Sequence, residues 1–114
     1  MTNYKQREVV LVKFVFSEGS AFKKRPALVL SGKAYHNGRQ EVIIAAITSN
    51  IERILVGDTK VKDWQKANLL FPSIVTGIVQ TIKGSMIERS LGTLSPSDFE
   101  NVQKNLRISL ELEA

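Results

Sequence analysis

Few side chains in this sequence could carry out chemistry, and most of those are cations or hydroxyls. The chain has no cysteine, so it contains neither a thiolate nucleophile nor a disulfide. Its one histidine, His36, excludes a pair of imidazoles and a metal site built on several of them. Because His36 lies beside the turn signal Asn37-Gly38, we expect it to be a solvated turn residue. An enzyme built on this sequence would use arginine, lysine, hydroxyl and backbone groups.

Arg25 and Thr48 are the candidates for such chemistry. Arg25 follows Lys23 and Lys24 and opens a predicted strand, while Thr48-Ser49-Asn50 ends the next strand. A guanidinium can hold two phosphate oxygens, and a nearby hydroxyl can align the phosphate or a ribose oxygen. RNA supplies its own nucleophile, the 2′-hydroxyl, so a protein can cleave it by positioning and charge stabilisation. If the two strands are neighbours, both groups meet at one rim of the fold.

The net charge of +5 lies entirely in the N-terminal half of the chain. Residues 1–53 contain 9 Lys and Arg against 4 Asp and Glu, whereas residues 54–114 contain 7 of each. A one-sided basic surface is typical of proteins with a polyanionic partner. The charge distribution is therefore consistent with RNA as the substrate.

Short β-branched and aromatic runs between turn signals must position these residues, and they predict a mainly β fold. The expected strands are residues 9–16, 26–31, 41–47, 73–82 and 86–91, and residues 54–61 are expected to form a strand or a hairpin around Gly57-Asp58. Pro26 stands at the first position of its strand, where a missing N–H is tolerated. Residues 17–24 are expected to form a loop, and residues 63–68 one helical turn.

A helix is predicted at the C-terminus. Ser95 suits the N-cap, Pro96 the first helical position and Asp98 the carboxylate position of a capping box. Leu94 and Phe99 have the spacing of a hydrophobic staple across that cap. The apolar residues that should pack on the strands are Phe99, Val102, Leu106 and Leu110. Strands followed by one helix indicate a small, bent barrel or sandwich closed by that helix, in a single domain of residues 1–114.

The overall composition fits an ordinary globular domain, with 43% hydrophobic and 24% charged residues. No apolar run approaches the ~20 residues that a membrane-spanning helix needs. The first seven residues, MTNYKQR, lack the apolar core of a signal peptide. We therefore expect a cytoplasmic protein that does not bind membranes.

Two segments carry a resemblance to a known family. Residues 24–31 (KRPALVLS) and 44–49 (IAAITS) are similar to the second and third strands of the MazF/PemK (Kid) toxins of type II toxin–antitoxin systems. The similarity continues, in the family's order, through residues 10–14, 19–20, 63–64, 69–73, 81–82 and 91–95. It spans nearly the whole chain, and the ordered set is more specific than any one segment.

The resemblance implies an SH3-like barrel with a C-terminal helix, forming a homodimer with RNA along the dimer groove. It implies a sequence-specific, metal-independent ribonuclease that cuts single-stranded mRNA and leaves a cyclic phosphate and a free 5′-hydroxyl. The implied catalytic residues are Arg25, which stabilises the phosphate, and Thr48. The implied RNA-binding residues are Ser20, Lys23 and Lys24 in a mobile loop, Ser49 and Asn50 beside the cleavage site, and Gln80.

The resemblance also implies a protein partner and no cofactor. The partner is a cognate antitoxin whose flexible acidic segment would neutralise and occlude the basic groove. Contact with DNA would be made only through that antitoxin. The general base is not assigned by the sequence; Glu18 is the acidic residue nearest the basic loop.

Some positions depart from the family's pattern. Arg7-Glu8 stands where the family usually has Gly-Asp, and Lys83 replaces a common aspartate. In residues 76–80 (TGIVQ), only Gln80 is polar and long, where many members have an acidic residue, glutamine or arginine. These changes bear on cleavage rate and sequence preference more than on the fold.

Two other functions remain open. A CcdB-like poison of DNA gyrase would act through the end of the C-terminal helix, but residues 109–114 (SLELEA) lack the Trp-Gly-Ile ending of those proteins. A barrel that binds RNA without cleaving it is compatible with the altered residues 76–80. For stacking on unpaired bases the sequence favours Tyr35 and Phe22, whereas Trp64 is expected in the core or an interface.

Overall fold

The computed structural model describes residues 3–15 and 22–112. Six strands in these residues form one sheet in the order β4-β5-β3-β2-β1-β6, and every pairing is antiparallel. The strands are β1 Glu8–Val15, β2 Phe22–Val29, β3 Glu41–Thr48, β4 Thr59–Lys60, β5 Ile74–Lys83 and β6 Ile87–Thr93. The helices are α1 Lys33–His36 and α2 Pro96–Leu110, and a 3₁₀ turn, Gly84–Met86, joins β5 to β6. The predicted mainly β fold with a C-terminal helix is confirmed, and the sheet is not closed.

Both faces of the sheet carry an apolar cluster. Val9, Leu28 and Ala45 belong to one cluster, while their neighbours Val10, Val29 and Ile44 belong to the other. Successive side chains of a strand point to opposite faces, so a strand buried on both sides needs an unbroken apolar run. This explains why β1, β2 and β3 lack polar alternation. The first cluster also contains Leu94, Phe99 and Val102, which pack α2 against the sheet.

Helix α2 begins as predicted but uses Asp98 differently. Ser95 Oγ accepts a hydrogen bond from Asp98 N at 3.2 Å, and Pro96 is the first helical residue. The capping-box prediction is wrong for the carboxylate, which accepts bonds from Lys62 N at 3.0 Å and Asp63 N at 2.9 Å. The carboxylate thereby fixes the segment after β4 to the start of α2. The prediction that Leu110 packs on the strands is also wrong, because that side chain is 61% exposed.

Strand β2 begins earlier than predicted. Phe22, Lys23 and Lys24 belong to the strand rather than to a loop, and residues 17–21 lie outside the described residues. Pro26 is therefore internal to β2. The strand pairs with β1 from Phe22 to Leu28 but with β3 only from Ala27 onwards, so Pro26 lies where one side has no partner strand. Proline is tolerated there because no ladder bond is lost on that side.

Two further expectations are corrected. Of the strand or hairpin predicted at residues 54–61, only Thr59–Lys60 is a strand, and Gly57, with a φ of 96°, lies in the turn before it, which Asp58 N closes by donating to Leu55 O at 3.0 Å. His36 is buried rather than solvated, and its Nε2 lies 2.6 Å from Ser31 Oγ, which also accepts a bond from Ile43 N. This network joins α1 to β3. In the part of the chain that the structure describes, no helix is long and apolar enough to cross a membrane.

Candidate active site

The candidate site lies where β2 and β3 separate. The ladder between them runs from Val29–Ile44 to Ala27–Ala46 and stops at Pro26, which has no N–H to donate. Two residues further along each strand stand Arg25 and Thr48. If the register continued, these two residues would be direct partners on one face of the sheet. The end of the ladder therefore leaves a guanidinium and a hydroxyl facing an opening between the strands.

That opening is part of a pocket of about 810 Å³, within the roughly 300–1,000 Å³ that small-ligand sites occupy. Its strand side includes Lys23, Lys24, Arg25, Thr48 and Ser49. Arg89 of β6 and a loop of residues 68–73 complete the lining, with Leu11, Pro26, Ile47 and Leu91. The described lining residues include four cations and neither carboxylate nor imidazole, so the pocket suits a polyanion.

The cations of the pocket differ in their partners. Lys24 Nζ forms an ion pair with Glu88 Oε1 at 2.7 Å, and this bond lowers the pKa of the Glu88 carboxyl. The charge of Arg89 lowers the same pKa further. The Arg25 side chain has no hydrogen bond or ion pair with any group in residues 3–15 and 22–112. The guanidinium groups of Arg25 and Arg89 are thus the charges left for a ligand, and Arg25 is the one that stands across from Thr48 at the end of the β2–β3 ladder.

The other predicted site residues are only partly brought together. Ser49 lines the pocket beside Thr48, whereas Asn50 lines an adjoining pocket of about 340 Å³ to which Thr48 also contributes. Asn50 N donates to Thr48 Oγ1 at 3.1 Å and so fixes the turn after β3. Gln80 pairs with Ile44, roughly 13 Å along β3 from Thr48, and does not line either pocket. Ser20 and Glu18 lie outside the described residues.

The stretch that departs from the family pattern forms an irregularity in β5. Thr76, Gly77 and Ile78 lie opposite the single residue Ala46, where the register of β3 and β5 shifts. Thr76 Oγ1 donates to Ala46 O at 2.7 Å and accepts from Ile78 N at 3.2 Å. A Cβ on Gly77 would lie 3.2 Å from the Gly57 Cα, so the close approach favours glycine. Thr76 and Gly77 are thus explained by the contacts that they make in this bulge.

The aromatic residues are placed differently from the expectation. Lys13 Nζ lies 4.1 Å from the centre of the Phe22 ring, and Arg39 lies 4.3 Å from that of Tyr35. Neither aromatic residue lines the pocket, whereas Phe71 does. Trp64 packs against the core, which is one of the two placements expected for it, the other being an interface. The sequence analysis did not identify Phe71 or Arg89 as site residues. For Phe71 a signal was present, because Leu70-Phe71 precedes a proline and lies outside the predicted strands, where large apolar side chains are exposed.

This arrangement can bind a phosphodiester and stabilise additional negative charge on it. A guanidinium without a protein partner can take up two phosphate oxygens, and the Thr48 hydroxyl stands on the strand opposite. Among the described residues, no group of three or more His, Cys, Asp or Glu side chains could hold a metal ion. The chemistry available to these side chains is therefore electrostatic stabilisation and alignment.

The fold and pocket define a small β-sheet protein with a C-terminal helix and a cationic cleft. The chain matches the family described as PemK-like, MazF-like toxin of type II toxin-antitoxin system over residues 5–110, and it belongs to that family. No curated protein matches the chain.

Solved structures of the same fold are similar over nearly their whole length. A MazE–MazF complex from Deinococcus radiodurans (Form-II) has a TM-score of 0.80 at 18% identity, covering 96% of this chain and 97% of that one. The Mycobacterium tuberculosis toxin MazF-mt6 has a TM-score of 0.74 at 23% identity, covering 95% and 100%. An endoribonuclease in complex with its cognate antitoxin, from a mycobacterial species, has a TM-score of 0.75 at 15% identity, covering 97% and 98%. At these identities the likeness establishes the fold.

Proposed function

We propose that this chain is a metal-independent endoribonuclease that cuts single-stranded mRNA in the cytoplasm as the toxin of a toxin–antitoxin pair. The observation that carries the proposal is the shared pocket of Arg25 and Thr48, which the end of the β2–β3 ladder opens. Membership of the PemK-like, MazF-like toxin family supports it independently of the geometry.

In the proposed reaction the 2′-oxygen of the substrate attacks the adjacent phosphorus, and the bond from phosphorus to the 5′-oxygen breaks. The 2′-hydroxyl loses its proton and the leaving 5′-oxygen gains one, which gives a 2′,3′-cyclic phosphate and a 5′-hydroxyl. Arg25 stabilises the extra negative charge of the pentavalent phosphorus, and Thr48 aligns the phosphate. Because the described lining has no carboxylate or imidazole, these residues act by charge and position.

A mixed-sequence single-stranded RNA incubated with purified protein in EDTA tests this function. We expect cleavage that persists in EDTA and is lost in Arg25→Ala and Thr48→Ala variants. RNA that is retarded in a gel but remains uncut would replace the proposal with a binding module. Intact RNA together with trapped gyrase–DNA complexes would replace it with a gyrase poison.

We further propose a homodimer whose second copy packs beside the pocket. Leu55, Val56 and Ile78 are exposed and line the smaller pocket together with Thr48 and Asn50. An exposed apolar patch of this kind is typical of an interaction surface. A second chain seated there would border the candidate site, as expected for RNA running along a dimer groove.

A Val56→Asp variant tests the dimer, because Val56 is exposed and the change leaves the core intact. Sedimentation should show a dimer for the wild type and a monomer for this variant. Lys33→Asp, an exposed site on α1, is the control and should remain dimeric. A wild-type protein that sediments as a monomer would contradict the proposal.

The proposed protein partner is an antitoxin with a flexible acidic segment. The four cations of the pocket give such a segment a complementary surface, and its carboxylates would compete with RNA phosphates for Arg25. Solved MazE–MazF complexes from Deinococcus radiodurans share the fold of this chain. The toxin would contact DNA only indirectly, through this antitoxin.

A further inference from the structure

The pocket has a second wall that is apolar and is not explained by phosphate binding. It is formed by the loop of residues 68–73, in which Leu70 is 83% and Phe71 is 60% exposed. Their neighbours Leu69 and Ser73 are buried, so the loop exposes two consecutive large apolar side chains while anchoring its ends. Adjacent exposed apolar side chains that line a pocket mark a binding surface.

Hydrogen bonds hold the backbone of this loop in place. Ser73 Oγ donates to Phe71 O at 2.7 Å, and Ser73 O accepts from Val61 N at 3.0 Å. At the other end, Leu69 N donates to Trp64 O at 3.1 Å, and Asn68 Nδ2 donates to Leu91 O at 2.8 Å. An aromatic ring on a fixed backbone is preorganised, because little conformational entropy is lost when a ligand contacts it.

The charge around this ring identifies the chemistry of its ligand. Phe71 shares the pocket with Arg25 and with Arg89, and the described lining contains no carboxylate. A ligand that places phosphate oxygens near cations and a flat apolar face on an aromatic ring is an unpaired nucleotide. Among the described residues that line the pocket, Phe71 is the one aromatic side chain. Phe22 does not line the pocket, and its ring lies under the Lys13 ammonium.

We propose that Phe71 stacks on an unpaired base next to the cleaved phosphodiester, and that Arg89 binds a neighbouring phosphate. This subsite rests on the proposed ribonuclease function and adds to it a residue that holds a base. Stacking is tolerant of sequence because every base has a π face, so Phe71 supplies affinity and position for the flanking nucleotide. Substrate selection then favours single-stranded RNA, since a paired base cannot be splayed onto the ring.

The test uses RNA binding and abasic substitution. The cleavage position of the wild type is first mapped, and a 2′-deoxynucleotide is placed there so that the RNA binds without being cut. We expect Phe71→Ala to weaken binding roughly 5- to 100-fold, Phe71→Trp to retain it, and Phe71→Leu to fall between them. Tyr35→Ala is the aromatic control outside the pocket and should leave binding unchanged.

An abasic nucleotide scanned along the RNA then identifies the stacked base. At one position beside the cleavage site, removing the base should weaken wild-type binding but should weaken Phe71→Ala no further, as a coupled pair requires. Phe71→Ala binding as tightly as the wild type, or losing the same factor on intact and abasic RNA, would overturn the subsite. A wild type that neither binds nor cuts RNA would instead overturn the proposed function, and urea unfolding of each variant verifies that it is folded.

Discussion

Charged side chains are used in two opposite ways in this protein, by the carboxylates of Asp58 and Asp98 and by the guanidinium of Arg25. Asp98 is fully buried, and its oxygens accept hydrogen bonds from Lys62 N and Asp63 N. Asp58 accepts bonds from Leu55 N at 2.9 Å and Gly77 N at 2.8 Å. Each carboxylate ties its own segment to a distant one, Asp98 to residues 62–63 and Asp58 to Gly77, and its oxygens are used as acceptors within the protein.

Arg25 has the opposite environment. Its side chain lies on the exposed half of β2, next to a pocket, and has no hydrogen-bond or ion-pair partner among the described residues. Buried charges are retained in proteins when they are satisfied internally, whereas a cation that gains nothing from its own protein contributes little to stability. The carboxylates therefore hold the fold, while the arginine is available to a ligand.

Arg25→Ala gives the strongest test of this difference between the arginine and the carboxylates. We expect cleavage of RNA to fall at least ~100-fold, as when a group that stabilises transition-state charge is removed. The free energy of unfolding in urea should stay within about 0.5 kcal/mol of the wild type, since surface substitutions have small effects. Arg25→Ala should therefore lose RNA cleavage while keeping the stability of the wild type. Undiminished cleavage, or a large loss of stability, would contradict the assignment of Arg25 to the ligand.

Asp98→Ala should give the reverse result. The change leaves two backbone N–H groups without their acceptor in a partly buried site and should lower the free energy of unfolding by about 2–4 kcal/mol. Urea denaturation measures the loss, and Lys104→Ala, an exposed change on the same helix, should be nearly neutral. If Asp98→Ala unfolds at the wild-type midpoint, the carboxylate is not the anchor that the hydrogen bonds indicate.

Much of the strand part of the site was predictable from local signals. The apolar runs of β1, β2 and β3 gave the strands, and the polar groups at their ends gave the candidates Arg25 and Thr48, which line one pocket. The N-cap at Ser95 was likewise a local signal, and the structure confirms it. Local patterns succeed here because apolar runs and helix caps are set by neighbouring residues.

What the sequence did not predict depends on contacts between distant residues. The Asp98 carboxylate bonds to backbone groups some 35 residues away, and no local pattern shows this. Pro26 was placed at the start of a strand because the one-sided pairing that permits an internal proline is set by β3. Phe71 and Arg89 enter the pocket from a loop and from β6, so their proximity to Arg25 exists only in the folded sheet.

Glu88→Gln tests an intermediate case, because the Glu88 carboxylate forms an ion pair with Lys24, one of the cations of the pocket. The change removes the ion pair with Lys24 and should free that ammonium for phosphate, tightening RNA binding by less than about threefold at low salt. Glu100→Gln, an exposed site on α2, controls for the change in net charge. In the wild type the Lys24 bond lowers the pKa of Glu88, so the pair persists as the pH falls until that lowered pKa is reached. Below it Glu88 is protonated, and the affinities of wild type and Glu88→Gln should converge; a difference that persists there would show that the charge of Glu88 is not its cause.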